Sequence, residues 1–161
     1  MINRLIKLTT EYFSADARRI QHFMKVYGYA SFIGEQENCS NIDVLKAAAV
    51  VHDVGIKKAE EIFGYNDGRL QEQYGPGMAE PLLREAGYDE SEIARIKYLV
   101  AHHHTYSNMD GLDYRILVEA DFLVNLYEDN ASMEAITAAY NRIFTTATGK
   151  WLCKTIYGLK E

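Results

Sequence analysis

Apolar residues along the chain recur mostly at three- and four-residue intervals, the spacing that lays one stripe along an α-helix. The first stripe is weak and consists of Ile2, Leu5, Ile6, Leu8 and Phe13. A longer helix is expected from residue 14 to about 34, capped by Ser14, with Ile20, Phe23, Tyr27 and Ala30 on its inner side. Asn41 and Asp43 open another, which carries Val44, Leu45, Ala48, Ala49 and Val51 up to His52 and Asp53, where Gly55 is placed to end it. A short helix is read in IKKAEEIFG. Residues 66–77, rich in Gly, Asn, Asp and Gln, read as irregular, and Pro81 implies that a helix over 78–86 starts late or is kinked. Residues 89–104 are amphipathic through Ile93, Ile96, Leu99 and Val100. LDYRILVEADFLVNLYE and a helix from the cap Ser132 to about residue 144 complete the pattern, and the tail from Thr145 onward stays unassigned. The expectation is an all-α chain: a compact bundle of about six to eight helices forming one domain over residues 1–161.

Composition narrows the class. At 161 residues, with 48% hydrophobic and 25% charged positions, the chain has the make-up of a globular protein. Its net charge of −6 argues against non-specific binding to a nucleic-acid polymer or an anionic membrane. A small phosphorylated substrate remains open, because it needs only a few local cations. MINRLIKLTTEYF lacks an apolar run of signal-peptide length and no segment is apolar for long enough to span a bilayer, so a cytoplasmic location is expected. Cys39 and Cys153 belong to no metal-spacing motif and are expected to be reduced thiols.

The polar residues that interrupt apolar stripes carry the chemistry. All five histidines fall in three places: His22, His52, and the run His102, His103 and His104. AAAVVHDVGI sets His52 and Asp53 at the end of a strongly apolar run, where an unpartnered carboxylate would cost several kcal/mol. Asp121 intrudes likewise in ILVEADFLVNLY, on the face of Leu117 and Val124. Taken singly, each has an ordinary explanation: a satisfied core histidine for His22, a turn cap for Asp53, a salt bridge to Arg18 or Arg19 for Asp121. A divalent cation held by two imidazoles and two carboxylates accounts for all four together, and leaves coordination positions for water and substrate. Imidazole and carboxylate ligands suit Mn, Fe, Co, Ni or Zn.

Arranged as His22, then His52-Asp53, then Asp121, these residues resemble the H…HD…D signature of the HD-domain superfamily of metal-dependent phosphohydrolases. The resemblance runs roughly from Asp16 to Glu128: RRIQH is similar to the first-histidine helix, AAVVHDVG to the central motif and EADFLVN to the last-ligand helix. It implies that His22, His52, Asp53 and Asp121 are the metal ligands, with His52 and Asp53 the catalytic pair. The expected reaction is in-line attack on phosphorus by a water that the cation activates, on a small phosphomonoester or nucleotide.

HHHTY raises the question of a second cation. Helical periodicity puts His103 inward with His104 beside it, and the two resemble the paired histidines of two-metal members. Those members usually carry a further histidine in the preceding helix, where this chain offers only Gln71, Glu72 and Gln73. One metal is therefore expected and two stay open, with Glu72 as a candidate carboxylate ligand; otherwise His103 and His104 would bind the phosphate as donors. Arg18, Arg19, Lys57 and Asn125 are the candidates for holding substrate phosphate, against an ordinary solvated basic surface for the cations. HDVGIKKAEE lacks the ED pair of the (p)ppGpp hydrolases, and TYSNMDGLDY lacks the GYP motif of the cyclic-di-GMP enzymes. Two other readings stand beside hydrolysis: a non-catalytic ligand-binding or regulatory module, and a di-iron oxygenase. Association with a second copy is open, since no residue pattern demands it.

Overall fold

α3 (Ile42–Val51) is the axis of the molecule, because Leu45 and every residue from Ala47 to Val51 are wholly buried. A helix apolar on all sides must be surrounded, and here α1 (Ile2–Phe13), α2 (Ala17–Gln36), α6 (Glu90–Val100) and α7 (Leu112–Glu128) pack around it. α4 (Gly55–Phe63) lies against α5 (Gly68–Ala86), while α8 (Met133–Arg142) and α9 (Ala147–Tyr157) complete the chain. This computed structural model describes residues 1–160, and among them there is no strand. The all-α architecture expected from the sequence is the one the chain adopts. Among the described residues no helix is long and apolar enough to cross a membrane.

Several local expectations are corrected. α2 is capped by Asp16, whose carboxylate accepts the Arg19 N–H at 3.1 Å; Ser14 instead terminates α1, its N–H closing on the carbonyls of Thr10 and Glu11. Ala15 separates the two helices with a left-handed φ of 62°. Gly55 does not end α3 but begins α4, and residues 66–77 are not irregular but helical from Gly68, with Asp67 accepting the Leu70 N–H as cap. Gly55 and Gly75 serve packing rather than turning. A Cβ on Gly55 would lie 2.6 Å from the Gly75 nitrogen, and one on Gly75 would lie 2.6 Å from Val100 Cγ1. α4 and α5 therefore meet backbone to backbone, and α5 does not start late at Pro81 but runs through both Pro76 and Pro81. α6 stops at Val100, so that His102, His103 and His104 lie in the turn behind it. The unassigned tail supplies α9, whose cap Thr146 accepts the Gly149 N–H at 2.9 Å.

Candidate metal centre

Three helices deliver four side chains to one point. His22 comes from the first half of α2, His52 caps the C-terminus of α3 with Asp53 next to it, and Asp121 lies midway along α7. His22 Nε2 is 3.2 Å from His52 Nε2, 3.1 Å from Asp121 Oδ1 and 3.4 Å from Asp53 Oδ2. His52 Nε2 is 3.4 Å from Asp53 Oδ2 and 3.5 Å from Asp121 Oδ1. His22, His52 and Asp121 are buried, and Asp53 is nearly so. Asp53 does not cap α4, and Asp121 forms no salt bridge with Arg18 or Arg19; it accepts from Asn125 Nδ2 at 2.9 Å.

The partners on the far side of each ring decide what the near side offers. His52 Nδ1 donates to the Ala49 carbonyl at 2.8 Å and His103 Nδ1 to the Val100 carbonyl at 2.8 Å. His22 Nδ1 lies 2.9 Å from Glu128 Oε2, which Lys25 holds through its other oxygen at 2.7 Å. An acceptor at Nδ1 fixes the neutral ring with its lone pair on Nε2. Two such lone pairs and two carboxylates thus converge on one space, an arrangement that a divalent cation would satisfy. Without one, protons take its place. Burial opposes charge on His22 and His52, yet Asp53 and Asp121 outweigh it and raise both pKa values. Burial likewise works against ionising Asp53 and Asp121, and the histidines hold both carboxyls below their usual range.

A second group adjoins the first. Asp53, His103 and His104 can also present ligand atoms to one ion, so that Asp53 is common to both sets. His103 Nε2 is fully buried and makes no hydrogen bond, with Asp53 Oδ1 3.5 Å away. An orphaned buried imidazole nitrogen is the mark of a place where a cation fits. His104 is half-buried; burial, with His103 beside it, pushes its pKa down to about 4.

Other candidates are dispersed. Glu72 stands in neither group, since one of its oxygens accepts from the His104 N–H and the Thr105 hydroxyl, each at 3.0 Å. Arg18 and Arg19 line the polar cavity of about 210 Å³ that opens over the ligands. Arg19 is neutralised by Asp16 and Glu60, both at 2.6 Å, whereas exposed Arg18 has no ion pair among the described residues. Lys57 lies outside the cavity, donating to the Tyr12 carbonyl at 3.0 Å from above the Tyr12 ring. Asn125 reaches the wall beside Asp121. Residue-by-residue reading of the sequence missed Glu128, Asn66 and Gln71 as cavity residues. Glu128 was recoverable, seven positions after Asp121 and hence on the same face of α7. Asn66 falls in the stretch read as irregular, and Gln71 was weighed only as a place where a further histidine is missing.

A helical bundle that joins two histidines and two aspartates at its centre has the make-up of a metal-dependent hydrolase. The comparisons place it more narrowly: residues 19–139 match the HD domain, and the chain belongs to that family. Among solved structures it is similar to a predicted HD superfamily hydrolase from an uncultured Thermotogales bacterium, with a TM-score of 0.70 and 25% identity over 97% of this chain and 84% of that one. Among curated proteins nothing matches.

Proposed function

We propose that the protein is a phosphohydrolase acting on a compact phosphomonoester, with His22, His52, Asp53 and Asp121 holding one divalent cation. The observation that carries this reading is the convergence of two Nε2 lone pairs and two carboxylates at the floor of a polar cavity whose one uncommitted guanidinium is Arg18. A divalent cation held by His22, His52, Asp53 and Asp121 would supply a water of lowered pKa and polarisation of a phosphoryl oxygen. In this reading Asp53, the member common to both candidate ligand groups, would accept the proton of the attacking water. Arg18 clamps the non-reacting phosphate oxygens, and Asn125 keeps Asp121 aimed inward. Arg19, already neutralised, shapes the wall rather than binding phosphate. Among the described residues lining the cavity Ile56 is the one apolar side chain and there is no Phe, Tyr or Trp, which favours a small polar ester over a nucleotide, since a base seeks a broad apolar or aromatic face.

The test is metal-stimulated phosphate release from a panel of sugar phosphates, glycerol phosphates and nucleoside monophosphates. The expected result is turnover concentrated among the small esters. Arg18→Ala is expected to raise KM about tenfold with a smaller change in kcat. Turnover confined to nucleotides would overturn the substrate class, and no turnover on any member would favour a binding module.

A further inference from the structure

Beside the candidate centre, four side chains form a chain of hydrogen bonds whose direction is dictated from one end. Glu60 Oε1 receives Arg19 Nη2 at 2.6 Å and Asn66 Nδ2 at 2.7 Å. A carboxylate only accepts, so Asn66 must turn its NH2 toward Glu60 and its carbonyl away. Asn66 Oδ1 then accepts from Gln71 Nε2 at 2.8 Å. Gln71 is left with its carbonyl oxygen facing His104 Nε2 at 2.6 Å, and an oxygen there demands a proton on that nitrogen.

From this direction we infer that Glu60, Asn66 and Gln71 are positioning residues that hold His104 as its Nε2–H tautomer, the reverse of His52 and His103. His52 and His103 keep their protons on Nδ1 and present lone pairs at Nε2. His104 presents a proton at Nε2, and its Nδ1 lies 3.4 Å from the Tyr106 hydroxyl, so both of its nitrogens are engaged. The group Asp53, His103 and His104 is thereby one ligand short: a cation seated there meets no free lone pair on His104 until Gln71 or Tyr106 lets go. The protein therefore binds one divalent cation tightly and a second more weakly. This consequence rests on the metal site of the proposed function; the tautomer does not.

The tautomer is read in the metal-free full-length protein at neutral pH by long-range ¹⁵N–¹H correlation of the histidine rings, with the His104 signal assigned by its loss in His104→Gln. The wild type is expected to show the Nε2–H pattern for His104. Gln71→Leu removes the carbonyl that demands the proton and is expected to leave a mixture of the two tautomers. An Nδ1–H pattern in the wild type, or an unchanged spectrum in Gln71→Leu, would overturn the inference. Should Gln71→Leu misfold, Asn66→Ala serves instead: it frees the Gln71 amide to turn either way and is expected to leave a mixture as well, and an unchanged spectrum counts against the relay. Calorimetric titration with Mn²⁺ is expected to give two affinities at least about tenfold apart, and two equal sites would refute the weak second position. Because the spectra are taken without metal or substrate, they stand whether or not the chain hydrolyses phosphate esters.

Discussion

Glu119 and Asp121 lie two residues apart on α7, both buried, yet one is tied into the scaffold and the other stands in the candidate metal centre. Glu119 is saturated by the chain itself. Oε1 accepts from the Thr145 N–H at 2.6 Å, the Thr145 hydroxyl at 3.1 Å and the Thr146 N–H at 2.9 Å, while Oε2 accepts from the Thr146 hydroxyl at 2.5 Å. Four donors from a single turn compensate one buried charge and fasten the start of α9 to the core. Asp121 faces imidazole lone pairs and a second carboxylate, with Asn125 as its one amide donor. The distinction that matters is who completes the group: donors of the chain for Glu119 and, on the proposed function, a cation from outside for Asp121.

The largest expected effects break this pair apart in opposite directions. Asp121→Ala should weaken metal binding by about a hundredfold or more, with the melting temperature of the metal-free protein changed less than in Glu119→Ala. Glu119→Ala should cost about 3 kcal/mol or more, because it orphans buried donors, while leaving metal content intact. Elemental analysis and denaturant melts on both variants check the pair. Destabilisation of the metal-free protein by Asp121→Ala beyond that of Glu119→Ala would dissolve the contrast.

Gly149→Ala sharpens the scaffold side. A Cβ at that position runs into the Glu119 carboxylate and the Thr146 hydroxyl, so a loss of about 1–3 kcal/mol is expected without loss of metal. Glu128→Gln sharpens the other side: it weakens the acceptor behind His22 and should lower metal affinity about tenfold, measured by competition with a chelator.

A smaller effect is the dependence on pH. His52 is raised, so its protonated form stabilises the metal-free fold fully below the ordinary imidazole pKa of about 6.5, and the gain is lost as pH rises through the raised value. Asp53 and Asp121 are lowered, so their contribution is present above about pH 4 and is lost as pH falls through their lowered values. The metal-free protein should therefore be stabilised most by this cluster between roughly pH 4 and 6.5. Metal must displace the imidazole protons, so its affinity should rise with pH above that range. Calorimetry in buffers of different ionisation enthalpy measures the released protons; their absence would contradict the assigned charge states.

Much of the candidate site was legible in the sequence because it interrupts strong periodicities. A histidine and an aspartate after Ala47–Val51, and an aspartate between Leu117 and Val124, are anomalies that helical spacing directs inward. The stretch over 66–77 was not legible, since glycine and proline signal turns when only the chain is considered. Here they answer to a tertiary demand, the close approach of Gly55 and Gly75, that no local pattern encodes. Glu60, Asn66 and Gln71 were missed with it, because their significance lies in the direction of a hydrogen-bond chain rather than in their spacing. Glu119 was invisible for a related reason: Thr145 and Thr146, which complete it, are 26 and 27 residues away.

The central claim is tested most directly by the metal content of the purified wild type beside Asp53→Ala, both reconstituted with manganese, iron and zinc in turn and then desalted. About one tightly held equivalent in the wild type and none in the variant is the predicted result. No retained metal in the wild type, or equal retention in both, would contradict the account.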